Sequence, residues 1–150
     1  MSDLLKFMLA AHVLLGIVGI IAFYAVWMGL LKRRVNIGFL KWSALAGFSG
    51  FILSWLSGGY YYVDYYGSSV KPVILQGPYP LAHIILTETK EHVFLFLPFL
   101  ALVITLALWF YGEKLENEKF KKTLAAVAAA ATLLGAFIAV AGVAISGAAR

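Results

Sequence analysis

The sequence predicts an all-α fold, a four-helix transmembrane up-down bundle with both termini on the non-cytoplasmic side. Three observations lead there. Of 150 residues, 63% are apolar and 13% charged, whereas a soluble domain holds about 45–50% and about 25%. The apolar residues gather into four runs, each near or above the roughly 20 residues that cross a hydrocarbon core. Lysine and arginine concentrate in two of the segments between those runs, the bias that orients membrane helices.

The first run, residues 4–31, closes on Lys32, Arg33 and Arg34. A signal peptide is the rival reading of an N-terminal apolar run. This one is longer than a signal h-region and shows no small-residue cleavage site before the basic cluster, so a retained helix is expected. The second run, residues 39–59, opens around Lys41 and Trp42. Its Gly47, Gly50, Ser54 and Gly58 recur at three- and four-residue steps, which suits close helix packing.

Residues 60–80 read as an outer loop, rich in tyrosine and then broken by Gly67, Pro72, Gly77, Pro78 and Pro80. Tyrosine favours the membrane interface, and Val73, Ile74 and Leu75 suit a short interfacial piece. The third run, residues 81–111, contains Pro98, a residue that bends membrane helices. The fourth, residues 123–147, has a small-residue stripe of Gly135, Ala139, Gly142 and Ser146. Residues 1–150 form a single domain in this reading.

Around the expected cytoplasmic loops lie Lys32, Arg33, Arg34, Lys41, Lys114, Lys119, Lys121 and Lys122, against Glu113, Glu116 and Glu118. On the other side Lys6, Lys71, Lys90 and Arg150 balance Asp3, Asp64, Glu88 and Glu91. The sequence pI of about 9.5 therefore reflects topology, and no nucleic-acid partner is expected. The expected setting is the cytoplasmic (inner) membrane of a prokaryote, with lipid as the surroundings. The chain has no cysteine, which excludes disulfides, thiolate metal sites, iron–sulfur clusters and covalent c-type haem. No phosphate-binding glycine loop, Ser-His-Asp order or zincin motif is present, and no catalytic residue stands out.

Histidine is the residue that points to chemistry. His12 precedes Leu31, and His92 precedes Tyr111, by the same 19 residues, about 28 Å of helix. The two imidazoles are thus expected at one depth, on helices that lie diagonally in an up-down bundle. That arrangement suits one haem b near the outer leaflet, with His12 and His92 as axial ligands. His12, Gly16, Gly19 and Phe23 share a helix stripe, and Gly16 and Gly19 would leave a shelf for the macrocycle. His92, Phe96, Phe99 and Val103 would supply the facing wall, with Phe96 against the ring. Electron exchange with a quinol or an external redox partner protein follows.

A second reading makes His12, Glu88 and His92 ligands of a single transition-metal ion, iron, copper, zinc or manganese, in a membrane oxidoreductase. A third makes the histidines cross-bundle hydrogen-bonding residues in a cofactor-free subunit of a larger membrane complex. Glu91 reads as a solvated partner of Lys90 and Lys71. His83 points about 180° from His92 on a continuous helix and reads as a surface residue. Asp64 reads as a hydrogen-bonding anchor among the tyrosines.

The opening FMLAAHVLLGIVGIIAFYAVWMGLLKRR resembles the first helix of small four-helix membrane-bound b-type cytochromes, where a histidine near one interface precedes a glycine-rich apolar run. The resemblance covers the first and third helices. It implies His12 and His92 as axial ligands and electron transfer between quinols and a partner. Two-haem members of such families have histidine layers at both faces. Here the cytoplasmic layer has none, so the resemblance implies one haem at most.

Overall fold

A computed structural model describes residues 1–149; Arg150, counted above among the terminal-side charges, lies outside the described residues. The chain forms four helices long and apolar enough to cross a membrane: α1 (Asp3–Leu31), α2 (Ile37–Gln76), α3 (Ala82–Glu116) and α4 (Glu118–Ala148). No strand occurs among the described residues. Side-chain oxygens cap three of the helix starts, as short polar residues favour. Ser2 Oγ accepts from the Leu5 amide at 3.3 Å, Asn36 Oδ1 from Phe39 at 3.0 Å, and Asn117 Oδ1 from Lys119 and Phe120.

Helix α1 packs on α2 and α4, and α3 packs on the same two, so α1 and α3 are diagonal. Phe23 and Phe51 stack at 5.5 Å and 12° in the centre. Leu30, Leu40, Leu97, Ile104 and Leu108 are fully buried around them. The buried Thr105 hydroxyl shares its proton between the Ala101 carbonyl of its own helix at 2.8 Å and the Ala44 carbonyl of α2 at 3.1 Å, which ties α3 to α2.

The closest approach is between α1 and α2, where glycine meets backbone. A Cβ on Gly50 would stand 2.9 Å from the Leu15 carbonyl oxygen and 3.1 Å from the Gly19 amide nitrogen. Only a residue without a side chain lets two helix backbones come this near.

Residues 60–80 depart from the loop reading. Helix α2 continues through the tyrosines to Gln76, with its turns widened to π-helical spacing over Tyr62–Val70. A second wide segment, Ala82–Thr87, opens α3. The tyrosines pack ring against ring along the helix: Tyr62 stacks on Tyr66 at 5.1 Å and 19°, and Tyr61 meets Tyr65 at 5.7 Å with a tilt of 47°. Proline at position 72 does not end the helix. It enters the first turn of the Lys71–Gln76 segment, and the widened turn before it relieves the clash a proline ring makes in a regular helix. The break comes at Gly77, followed by Pro78 and Pro80. This extension packs Tyr66 and Ile74 against Ala82, Ile145 and Ala148, a second small core above the main one.

The close contact predicts a paired outcome. Gly50→Ala should lower the melting temperature of the detergent-purified protein, because the overlap falls on backbone and such overpacking costs about 1–3 kcal/mol. Gly59→Ala meets no atom within 4 Å and should hold or raise it, since alanine is the better helix former. Equal melting temperatures for the two variants would contradict the packing described.

Candidate functional site

His12 is held to α2 by reciprocal hydrogen bonds. Its Nδ1 lies 2.8 Å from the Ser54 carbonyl oxygen, which can only accept, so the ring proton is on Nδ1. The Ser54 hydroxyl donates back to the His12 carbonyl at 2.8 Å. Nε2 keeps its lone pair in the neutral ring and makes no hydrogen bond to the described residues. The Phe94 edge meets the imidazole at 5.6 Å and 86°. The inward stripe expected on α1 is present: Gly19 and Phe23 are buried, and His12 and Gly16 half-buried.

The shelf beside that stripe is filled by α2. The Ser54 hydroxyl stands 3.2 Å from a Cβ placed on Gly16, and the Phe51 ring occupies the corresponding space at Gly19. Gly16 and Gly19 therefore make room for a helix, where a macrocycle was expected.

On α3 the expected face is turned over. Its inner residues are Leu97, Pro98, Ala101, Ile104, Thr105 and Leu108, all buried. His92 is exposed, its Nδ1 donating to the Glu88 carbonyl of its own helix at 2.7 Å. Phe96 is 56% and Phe99 68% exposed, so the ring expected as a wall faces away from His12. The structure does not bring His12 and His92 together, and the chain does not fit a haem held between these two histidines. Glu88 is exposed as well. No group of three or more His, Asp or Glu side chains among the described residues is placed to hold a metal ion, so the set His12, Glu88 and His92 is not assembled.

The inward face of α3 instead brings Lys90, Glu91 and Phe94 to His12. They line a pocket of about 480 Å³ together with Trp55, Tyr62, Tyr66 and residues near the end of α4. The Lys90 ammonium rests against α4, 3.2 Å from a Cβ placed on Gly142. Tyr62 and Glu91 share the wall of this pocket. Glu91 Oε1 is buried without a hydrogen-bond partner. The only ion pairs among the described residues are Lys6 with Asp3 and Lys121 and Lys122 with Glu118. Glu91 is thus not the solvated partner of Lys90 and Lys71 that its neighbours suggest.

In the wall of the pocket a chain of hydrogen bonds joins the two widened segments. The Thr87 hydroxyl donates to the Ala82 carbonyl at 3.1 Å, five residues back, which is the spacing of a π turn. Its single proton being used, it accepts from the Tyr66 hydroxyl at 2.9 Å. Tyr66 in turn accepts from His83 Nδ1 at 3.0 Å. His83 is 4% exposed, where the sequence suggests a surface residue. His83 is thus buried while His92 is exposed. Asp64 is exposed and joins no part of this network.

Comparison of the chain with known protein families, curated proteins and solved structures finds no match.

Tyr66→Phe removes the hydroxyl that both His83 and Thr87 use. An unmatched buried donor costs about 1–3 kcal/mol, so the variant should unfold at lower temperature, while Tyr65→Phe should not. An unchanged transition in Tyr66→Phe would show that the chain of hydrogen bonds adds nothing to stability.

Proposed function

We propose that the chain spans a membrane with the α1–α2 and α3–α4 connections in the cytoplasm, and that its pocket, near the outer face, binds a membrane-soluble quinone or quinol. The orientation is supported by the lysines and arginines around those two connections, which favour the cytoplasmic side. The ligand reading rests on one observation above all: Glu91 Oε1 is a buried acceptor without a partner in the wall of a largely apolar pocket.

An acceptor in that state is costly, and a ligand hydroxyl relieves the cost. A quinol supplies hydroxyls on a flat ring, and Glu91 accepts from one. A quinone supplies carbonyls, and the Lys90 ammonium or the Tyr62 hydroxyl donates to one. The same groups therefore recognise both redox states. Trp55, Phe94, Leu9, Leu95 and Ile145 offer the ring and tail an apolar lining, and pockets of about 300–1,000 Å³ are usual for ligands of this size. His12 Nε2 adds a second acceptor near the head group. The electron donor or acceptor for the bound ligand would come from a redox partner protein or from neighbouring subunits of a membrane complex.

The purified protein should bind a short-tailed benzoquinone and its quinol, read by quenching of tryptophan fluorescence with Trp55→Phe as the probe control. Glu91→Gln should weaken the quinol about tenfold or more, the loss of a hydrogen bond to a charged group being about 1.5–3 kcal/mol. Lys90→Met should weaken the quinone by a similar factor. Equal affinities in the wild type and both variants would refute the assignment. A visible spectrum of the same sample showing a Soret band that His12→Ala abolishes would replace the quinone reading with a haem on His12, its other axial ligand supplied from outside this pair.

A further inference from the structure

At the opposite end of the bundle, α1 and α4 leave a groove of about 320 Å³ with apolar walls that include Trp27, Leu31 and Ala126, and with Lys121, Lys122 and Glu118 at its mouth. Lys121 is the sheltered charge: its side chain is 13% exposed, against 78% for Lys122. Its ammonium donates to the Lys32 carbonyl at 3.0 Å, beside the end of α1. Of its three donors that leaves two. Glu118 reaches Lys121 and Lys122 only at 3.9 Å each and is 69% exposed. Lys32, Arg33 and Arg34 follow α1 directly, exposed, and have no ion-pair partner among the described residues. Positive charge therefore outweighs the single carboxylate at the mouth, above a slot lined by carbon.

We propose that this groove binds an anionic phospholipid, its phosphate between Lys121 and Lys122 and one acyl chain in the slot against Trp27 and Ala126. Ammonium groups at the rim supply charge and hydrogen bonds to phosphate oxygens. The slot supplies what a free anion lacks any use for, since each buried CH₂ is worth about 0.8 kcal/mol. Basic pockets between helices at a membrane face are chemically suited to such head groups. The site is separate from the quinone pocket and does not depend on it.

The test is thermal unfolding of the full chain in neutral detergent with added dioleoyl phosphatidylglycerol, dioleoyl phosphatidylcholine or inorganic phosphate. Phosphatidylglycerol should raise the melting temperature in a saturable way, and the other two should not. Lys121→Gln/Lys122→Gln should shift the midpoint of that rise at least several-fold to higher lipid. Ala126→Phe, which fills the slot from an exposed position and keeps every charge, should do the same. If the double variant fails to fold, Lys122→Gln alone serves, its side chain being exposed. An equal rise with inorganic phosphate would make this a plain anion site, and an equal rise with phosphatidylcholine would remove the role of charge. A phosphatidylglycerol response unchanged in Ala126→Phe would place the lipid elsewhere. Any of these three results overturns the proposal.

Discussion

The seam between α1 and α2 governs the rest of the bundle. At Gly19 and Gly50 the two backbones meet with no side chain between them, and one turn or two away His12 and Ser54 exchange hydrogen bonds in both directions. Dispersion alone permits a helix to slide or rotate. A histidine and a serine that each need the other's carbonyl permit one register. With that register set, Phe51 enters the space at Gly19 and stacks on Phe23, and Gly135 of α4 seats against Ile20 and Phe51. Helix α3 closes the square from the far corner, meeting α1 through the contact of Phe94 with the His12 ring.

The two ends of the bundle use polar groups in opposite ways. At the basic end most charges point outward, the sheltered Lys121 excepted, and Lys41 lies over the Trp109 ring at 5.6 Å while Lys114 lies over Tyr111 at 4.9 Å. At the other end the polar groups turn inward. His12, Lys90, Glu91 and Tyr62 border one pocket, and Tyr66 and Thr87, bonded to one another and to His83, stiffen its wall. The widened turns serve that purpose: they let α2 run on past the pocket and bring Tyr66 over α3. Widened turns often mark functional sites, and here they flank the one buried carboxylate oxygen without a partner among the described residues. The proposed quinone site and the proposed lipid site thus follow from a single asymmetry in where charge is allowed to sit.

Composition and run length were sufficient to read four membrane-length helices and the diagonal placement of α1 and α3. The α1 stripe of His12, Gly16, Gly19 and Phe23 was legible because glycines mark the side where a neighbour comes close. The face of α3 was not legible from apolar periodicity. Hydrocarbon is as apolar as a protein interior, so large residues such as Phe96 and Phe99 gain nothing by turning inward. The usable signal was the small and polar set, Lys90, Glu91, Pro98, Ala101 and Thr105, whose spacing follows the buried side. His92 misled because its own turn satisfies it through the Glu88 carbonyl. The segment from residue 60 to 80 misled for another reason: proline and glycine usually end helices, but stacked tyrosines and a widened turn absorb Pro72. That accommodation depends on contacts with Ala82, just past the segment, and with Ile145, far away in sequence.

The pocket exists because α3 turns Lys90, Glu91 and Phe94 inward and His92 outward. Because the chain has no cysteine, single spin labels can be introduced without background. The most direct measurement is oxygen-collision power saturation in lipid bilayers for labels at His92→Cys, Phe96→Cys, Leu97→Cys and Ala101→Cys. Strong oxygen contact at 96, with 97 and 101 shielded and 92 accessible from outside the bundle, is the result expected. Shielding at 92 and 96 with oxygen contact at 97 and 101 would contradict it, and would return His92 to the side of His12.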